Sequence, residues 1–356
     1  MKTIIRALTP ADVDKYADLC AARDGLDRKA AEERAELVAF LAFQNPTSDD
    51  RPTYFVAETG DRLTGHLGRM PTWFFADGRR HLATFAHDLF VHPDLQKSGH
   101  AFFVAMRFYE AVEKASDSFI GMIWTNEINV QLQNSRKYQR AYFQRMVHVL
   151  QADSQIQRID ALGPVREVLK PAARLLLKGI DAALSSLHQP RRIEHVEVFD
   201  KRFDQLADRI GPRMNVAPVK DAAYLDYKYT RRPFIDTECI AAIGAPGELL
   251  GFVVLRKLGA GDRVGTILEL VAARDDVHTS LTLMHAAIGY YRGVNARQIE
   301  ATASDPVFIA LYERALFLKR NQMPFSVANP QKYRFPETVR AVEKWHLSYG
   351  DSEGPY

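Results

Sequence analysis

A junction between a strand and a helix, over residues 88–101, is the part of the sequence best suited to hold a charged ligand. The apolar run before it stops at Pro93, which cannot donate to a sheet, and a long helix begins near Ser98. Gly99 lets a ligand approach the main chain, and the first N–H groups of the helix point outward at the positive end of its dipole. Such a loop can bind a phosphate or a diphosphate without many cationic side chains.

Two elements with different periodicity must hold this loop. Residues 84–91 form an apolar, strand-like run, whereas residues 101–114 repeat apolar side chains at helical spacing. The helical positions are Phe102, Phe103, Ala105, Met106, Tyr109 and Val112. An ordinary strand-to-helix turn is the alternative interpretation, but the two flanking elements favour a ligand-binding loop.

The loop resembles the signature of the GNAT superfamily of acyl-CoA N-acyltransferases, Gln/Arg-x-x-Gly-x-Gly/Ala, with Gln96, Gly99 and Ala101 at the three fixed positions. The resemblance implies that the co-substrate is acetyl-CoA or another acyl-CoA. It implies that three main-chain segments pair with the pantetheine arm, those of Leu89, Phe90 and Val91. It also implies that successive amides hold the pyrophosphate, those of Gln96, Lys97, Ser98, Gly99, His100 and Ala101.

The chemistry that this resemblance implies is direct attack of an amine on a thioester, without a covalent enzyme intermediate. The reaction needs a base, a polarised carbonyl and a proton for the departing thiolate. His87 and Asp88 are the candidate bases, expected on opposite faces of the strand, and a histidine can titrate near neutrality. Glu58 and Glu127 are further candidates. A purely structural His–Asp pair is the alternative.

A general acid is harder to find in the sequence. Counting from Asn126, the tyrosine position of the family falls on Gln133. Tyr138 is therefore the candidate acid, although an aromatic side chain there can equally fill the core.

The composition favours two domains, because 356 residues with 47% hydrophobic and 26% charged content can bury two cores. A net charge of +3 and a pI near 8.7 are too mild to favour nucleic acid as a partner. Only two cysteines occur, which excludes a disulfide framework or a cysteine-based zinc site, and the histidines form no HExxH pattern, so no metal is expected. The N-terminus reads as a strand and not as a signal peptide, no run is long enough to span a membrane, and the expected location is the cytoplasm.

The resemblance covers nearly all of the chain and predicts an α/β protein with two tandem GNAT folds, each a mixed, mostly antiparallel sheet flanked by helices. Residues 1–152 are expected to form an N-terminal GNAT domain with the acyl-CoA loop, and residues 191–335 a degenerate C-terminal GNAT-like domain. Residues 153–190 are expected to form a basic amphipathic helical linker, and residues 336–356 a frayed polar tail.

The linker carries a periodic set of cations, Arg166, Lys170, Arg174 and Lys178. A basic amphipathic helix over 154–189 can touch an anionic membrane surface. The favoured alternative is an interdomain helix whose basic face is merely solvated.

The second half has the acid position but lacks the phosphate loop. Residues 304–317 resemble the family element Asn-x-x-Ala-x-x-x-Tyr-x-x-x-Gly-Phe, and Tyr312 stands at the tyrosine position of that element. Asp275 and Asp276 stand where a glycine-rich turn is needed and would repel a pyrophosphate, so acyl-CoA is expected in the first half only. Residues 224–234 resemble GNAT-like proteins of bacterial cell-surface polysaccharide pathways. The second half can supply part of the acceptor site, stabilise the first half or be a relic.

The leading functional hypothesis is acetyl transfer from acetyl-CoA to the amine of a small molecule or an amino sugar. One alternative is an acyltransferase of envelope or exopolysaccharide assembly at the membrane surface. The other is a non-catalytic CoA-binding or scaffolding protein, which Gln133 in place of the family tyrosine supports. The sequence does not indicate the acceptor, the acyl length or the oligomeric state.

Overall fold

The computed structural model describes residues 2–47, 49–97, 99–116, 120–123, 127–151, 190–327 and 341–351, together with Pro171 and Gly179. We call the described residues up to 151 the first half and those from 190 onward the second half. The linker predicted over 153–190 lies outside the described residues, apart from Pro171, Gly179 and Pro190.

The described strands and helices of the first half run from Thr3 to Val149. Its elements are β1 (Thr3–Ala7), α1 (Val13–Asp24), α2 (Arg28–Phe43), β2 (Tyr54–Thr59), β3 (Arg62–Ala76), β4 (Arg79–Val91), α3 (Pro93–Lys97), α4 (Ala101–Lys114), β5 (Ile120–Ile123), α5 (Glu127–Ser135) and β6 (Gln139–Val149). Local signals set the hairpin of α1 and α2, because Gly25 takes a φ of 64° after α1 and the Asp27 side chain accepts a 2.9 Å hydrogen bond from Ala30 N–H.

The second half repeats much of this plan. Its elements are β7 (Arg192–Val196), α6 (Lys201–Ile210), β8 (Val216–Pro218), α7 (Ala222–Leu225), β9 (Thr237–Ile243), β10 (Leu249–Arg256), β11 (Val264–Ala272), α8 (Val277–Gly293), β12 (Gln298–Ala303), α9 (Pro306–Arg314) and β13 (Leu318–Val327). A π-helical turn, Asp226–Thr230, follows α7. Strands β8 and β13 are not predicted by the sequence pattern.

All the described strands belong to one sheet, in the order β1-β2-β3-β4-β5-β13-β6-β12-β11-β10-β9-β7, with β8 paired to the end of β3. Every pair is antiparallel except β4 with β5 and β11 with β12. The same plan recurs from each edge of the sheet inward. Four antiparallel strands, β1–β4 at one edge and β7 with β9–β11 at the other, are followed by one parallel pairing. The predicted fold class, a mixed and mostly antiparallel sheet flanked by helices, is confirmed.

The two halves exchange their last strands. Strand β13 lies between β5 and β6, where Phe325 pairs with both Ile123 and Ala141, and β6 in turn pairs with β12. Hydrogen bonding in the sheet therefore runs across the division at residues 152–190, and that division remains a prediction.

Helices cover both faces of the first half. Because side chains alternate along a strand, Val56 of β2 packs with α1 and α2, whereas its neighbours Phe55 and Ala57 pack with α4 on the other face. No helix among the described residues is both long and apolar enough to span a membrane.

The expectation of a frayed C-terminal tail is wrong for residues 341–351. Trp345 and Leu347 are fully buried, and the Trp345 ring lies 5.6 Å from that of Phe74 and 6.2 Å from that of Phe325, centroid to centroid. The sequence of this short segment does not indicate that it is buried, because the segment is irregular and its packing partners lie on distant strands.

Candidate active site

Among the described residues, the pairing of strands β4 and β5 stops where the sequence places a ligand. Their parallel pairing joins Thr84 with Ile120, Phe85 with Gly121 and Ala86 with Met122, although β4 continues to Val91. We call the stretch of β4 beyond this described pairing, residues 87–91, the β4–β5 gap. The main chain along it presents peptide groups that an extended ligand can pair with, as an added strand would.

A β-bulge lies at the mouth of this gap. His87 pairs with Gly68 and Phe90 pairs with His66 on β3, so Asp88 and Leu89 are left without aligned partners. Asp88 takes a φ of 58°, the left-handed region that side chains other than glycine rarely adopt. Unpaired peptide groups at a bulge are free to turn toward a ligand, and backbone strain of this kind is concentrated at functional sites.

The bulge also corrects the expected orientation of His87 and Asp88. The His87 ring makes an edge-on contact with Tyr54, at 5.2 Å between centroids, on the sheet face that α1 and α2 cover. Asp88 contacts Arg23 of α1 and Arg34 of α2 on that same face. The two side chains are therefore not on opposite faces, because the extra residue of the bulge cancels one step of the strand alternation.

Asp88 is held by three cationic or donor groups. Arg23 Nη1 lies 2.5 Å from Asp88 Oδ1, Arg34 Nη2 lies 3.5 Å from Oδ2, and His66 Nε2 lies 3.3 Å from Oδ2. Burial alone would raise the pKa of Asp88, but His66, Arg23 and Arg34 hold this pKa well below its ordinary value. A carboxylate stabilised so strongly as an anion is a poor base, and its geometry suits a positioning role.

A buried hydrogen bond extends this cluster away from the gap. The hydroxyl of Tyr16 and His66 Nδ1 lie 2.8 Å apart, and both side chains are buried. Burial raises the pKa of Tyr16 well above its ordinary value, so the hydroxyl keeps its proton. The other ring nitrogen, Nε2, lies 3.3 Å from both Arg23 Nη1 and Asp88 Oδ2, so these four side chains form one connected polar cluster.

His87 occupies a position that only a glycine opposite can allow. A Cβ atom at Gly68, its cross-strand partner, would overlap the imidazole ring. The ring is half-buried beside the bulge, between Gly68 and Tyr54. Of the predicted bases other than Asp88, His87 lies nearest in sequence to the bulge.

The phosphate loop folds on its own main chain. The Gln96 side chain donates a 2.6 Å hydrogen bond from Nε2 to the Val91 carbonyl, and His100 N–H donates to the Leu95 carbonyl at 3.0 Å. Gly99 has a φ of 75°, and a Cβ there would meet nothing within 4 Å. The glycine is therefore required by its backbone angle, and the space above it is open. Ser98 lies outside the described residues.

Helix α4 begins without a side-chain cap from its N-cap residue, His100. Its first backbone hydrogen bond runs from Val104 N–H to the His100 carbonyl at 3.1 Å, and the His100 side chain caps nothing. Among the described residues, none accepts from the N–H groups of Ala101, Phe102 or Phe103. Donors left open at the positive end of a helix are suited to phosphate oxygens.

The corresponding helix of the second half is closed by its own carboxylate. At the start of α8, Asp276 Oδ1 accepts from Thr279 N–H at 3.0 Å and Oδ2 accepts from Thr279 Oγ1 at 2.6 Å. The carboxylate of Asp276 thus takes the place that a phosphate would need. The two helix starts thus differ in whether their N-cap side chain accepts from the first turn.

The gap of the second half is filled by the chain itself. Strands β11 and β12 pair only from Val264 to Thr266 on β11, after which Ser348 forms a β-bridge with Ala303 of β12. The Ser348 hydroxyl also reaches Glu269 of β11, at 2.5 Å from Oε2. We call residues 345–351 the plug, because they lie where an acyl-CoA arm would have to enter.

The remaining predicted catalytic side chains are engaged elsewhere. The Tyr138 hydroxyl donates to Glu113 Oε1 at 3.0 Å, and Glu113 also pairs with Arg136 at 2.5 Å. Glu113 lies twelve residues after the start of α4, which places it about 18 Å along the helix from the phosphate loop. The acid role of Tyr138 stays a prediction, and this hydrogen bond gives it no support. Glu58 is paired with Arg6 at 2.7 Å. The side chain of Glu127 lies outside the described residues.

Sequence reasoning missed the partners of Asp88. Arg23 and Arg34 precede it by 65 and 54 residues and lie on helices whose exposed faces carry many other charges. A carboxylate inside an apolar strand does signal that cations must compensate it, but nothing in the sequence tells which arginines do so.

Comparison with solved structures shows the same fold over most of the chain, whereas no protein-family model and no curated protein matches it. A GCN5-related N-acetyltransferase from Anabaena variabilis superposes with a TM-score of 0.60 at 10% identity, covering 92% of this chain and 72% of that chain. A tandem GNAT protein from the clavulanic acid biosynthesis pathway gives a TM-score of 0.54 at 13% identity, covering 92% of this chain and 98% of that chain. Saccharomyces cerevisiae N-myristoyltransferase with bound myristoyl-CoA gives a TM-score of 0.55 at 9% identity, covering 92% of this chain and 82% of that chain. These likenesses show the fold, and the further resemblance to polysaccharide-pathway proteins stays a prediction.

Proposed function

We propose that this chain, which has the GNAT fold in tandem, is an acyl-CoA-dependent N-acyltransferase whose first half binds the acyl-CoA. The observation that carries the proposal is the β4–β5 gap, which lies beside a bulge and leads to the start of α4, where His100 provides no side-chain cap. An extended pantetheine arm would pair with residues 89–91, and the pyrophosphate would bind the open amides that begin at Ala101. The acyl group would then lie at the bulge, beside His87 and Asp88.

The proposed reaction is direct attack of the acceptor amine on the thioester. Peptide N–H groups left unpaired at the bulge would polarise the thioester carbonyl. His87 is the proposed base, because it borders the gap at the bulge and its imidazole lies beside Asp88 in the chain. Asp88 would act as a positioning residue that keeps Arg23, Arg34 and His66 beside the acyl group. Acetyl is the proposed acyl group and a small amine, or an amino sugar, the proposed acceptor.

A non-catalytic CoA-binding protein is the competing function that a specific residue supports. Gln133, at the family's tyrosine position, is buried and its Nε2 lies 3.5 Å from the Tyr109 hydroxyl, so it offers no acid. If the chain is an acyltransferase, the departing thiolate must therefore take its proton from solvent or from another side chain. The membrane alternative depends on residues outside the described part of the chain.

The test of turnover is release of free CoA thiol from acetyl-CoA in the presence of an amine panel that contains glucosamine, spermidine, lysine and leucine. The proposal predicts thiol release that depends on the presence of one of these amines. It also predicts a single acylated product of that amine, detected by mass spectrometry. Binding of acetyl-CoA without turnover of any amine would favour the scaffolding function. The Gly99→Glu variant, which places bulk and negative charge at the phosphate loop, is expected to be inactive.

A further inference from the structure

A cavity of about 270 Å³ lies between the two halves, next to the arginine cluster of Asp88. One wall is helix α2, through Ala30, Arg34 and Leu37, and the other is the segment 232–235 of the second half. Its volume is close to the lower end of ordinary small-molecule sites, about 300–1,000 Å³. A compact ligand would fill it.

The second half is docked firmly on α2 beside this cavity. The Tyr227 ring stacks on Phe40 at 5.0 Å between centroids, and Arg231 Nη2 donates to Gln44 Oε1 at 3.0 Å. Phe234, which borders the cavity, is exposed and takes a φ of 63°, an uncommon angle for a bulky residue. The cavity is therefore a built feature with fixed walls, and its strained aromatic residue is of the kind found at ligand sites.

Arg34 joins the cavity to the reacting centre. It lines the cavity, yet its Nη2 also lies 3.5 Å from Asp88 Oδ2, so a single side chain spans the distance between them. Arg23 satisfies Asp88 at 2.5 Å, a much shorter contact, which leaves Arg34 loosely held. A guanidinium with donors to spare is suited to a carboxylate, which it binds through two parallel hydrogen bonds.

The cavity combines the guanidinium of Arg34 with apolar walls. The lining carboxylate of Glu33 has Lys29 at 3.9 Å. The other lining side chains are mostly apolar, those of Leu26, Leu37, Pro233, Phe234 and Ile235. A ligand with one anionic group and one apolar group matches both properties.

We propose that this cavity binds the acyl acceptor, and that the acceptor is an α-amino acid with an apolar side chain whose carboxylate pairs with Arg34. This inference rests on the proposed N-acyltransferase function and names its substrate class. The amine nitrogen forms a bond to the thioester carbonyl carbon and the C–S bond breaks. The proton that the amine loses balances the proton that the departing thiolate takes up, so the products are an N-acyl amino acid and CoA.

The test compares L-leucine with 3-methylbutylamine, which has the same side chain and amine but lacks the carboxylate. We expect kcat/KM to be at least tenfold higher for leucine, and Arg34→Met to abolish that preference while the affinity for acetyl-CoA stays unchanged. Lys29→Met is the matched control, because it removes a cation from the exposed face of the same helix and should keep the preference. Ala30→Phe, which fills the cavity from α2, should weaken leucine binding at least tenfold.

Calorimetric titration of leucine alone keeps this test separate from that of the proposed function. Leucine binding that is lost in Arg34→Met supports the cavity assignment even in the absence of acetyl-CoA binding, which would overturn only the acyltransferase function. Acetyl-CoA binding with equal use of the two amines, or leucine binding that survives both Arg34→Met and Ala30→Phe, would overturn the acceptor site.

Discussion

The Ser348 hydroxyl donates a 2.5 Å hydrogen bond to Glu269 Oε2, across the opening between β11 and β12. Lys220 Nζ reaches the other carboxylate oxygen, Oε1, at 2.8 Å and also pairs with Asp351. Burial alone would lower the pKa of Lys220, but Asp351 and Glu269 raise it, so the amine stays a cation. The plug is thus tied by a buried ionic network to the strand that lines the second gap.

One acyl-CoA per chain is the first consequence. Among the described residues, none pairs with β4 in the first gap and His100 does not cap α4, whereas the second gap holds the plug and its helix is capped by Asp276. Native mass spectrometry with excess acetyl-CoA should show a single adduct per chain. A second adduct of comparable affinity would mean that the plug leaves the gap when ligand binds.

Loss of the Trp345 ring should destabilise the protein strongly. The ring is fully buried against Phe74 and Phe325, so Trp345→Ala is expected to lower the free energy of unfolding by about 3–5 kcal/mol. Urea denaturation measures the effect, and Lys344→Ala, at an exposed neighbouring position, should change it by less than about 0.5 kcal/mol. Equal effects of the two substitutions would show that the plug is not packed as described.

Stability should fall as the pH drops from about 6.5 to about 4, partly through His346. Burial lowers the pKa of His346 from 6.5 to about 4, with Asp305 and Asp351 opposing the shift and Lys220 and Arg274 adding to it. In this window the unfolded chain binds more protons than the folded chain, so acid favours unfolding. His346→Gln cannot take up that proton, and its melting temperature should depend less on pH over the window.

Removal of the Asp88 charge should harm catalysis more than cofactor binding. Asp88→Asn leaves Arg23 and Arg34 facing each other without their anion, which should cost about 3 kcal/mol of stability, the lower end for a broken buried ion pair. Because its pKa is depressed, the stabilisation by Asp88 is fully present above about pH 3.9 and is lost only as the pH falls below that value. At pH 7 we expect kcat to fall at least tenfold with little change in the Kd for acetyl-CoA. Unchanged kcat would remove Asp88 from the site.

The sequence predicts the regular elements that carry the site but not the contacts that shape it. The strand, the loop at Gly99 and the helix after it follow from proline, glycine and helical periodicity, which are local signals. The bulge at Asp88 is different, because it depends on the register of β4 against β3. A bulge of one residue turned Asp88 to the face that His87 also occupies, and no local pattern marks it.

Long-range contacts account for the other features that the sequence does not predict. Strand β13 is inserted between β5 and β6, so the sequence order of strands does not give their order in the sheet. Trp345 in a short polar tail reads as a frayed residue, yet it fills a cavity between strands more than one hundred residues apart in the chain, those of Phe74 and Phe325. Burial of this kind is decided by tertiary packing, which outweighs local composition.

The most direct test of the central claim is calorimetric titration of acetyl-CoA into the wild-type protein and two glycine variants. Gly99 and Gly261 both have a positive φ, of 75° and 86°, and open space at the Cβ position, so a glutamate costs each about 1–2 kcal/mol of backbone strain. Only Gly99→Glu puts its charge at the proposed pyrophosphate. We predict micromolar binding at one site per chain in the wild type and in Gly261→Glu, and none in Gly99→Glu. Equal affinity in all three proteins, or no binding to the wild type, would contradict the assignment of the first half as the acyl-CoA site.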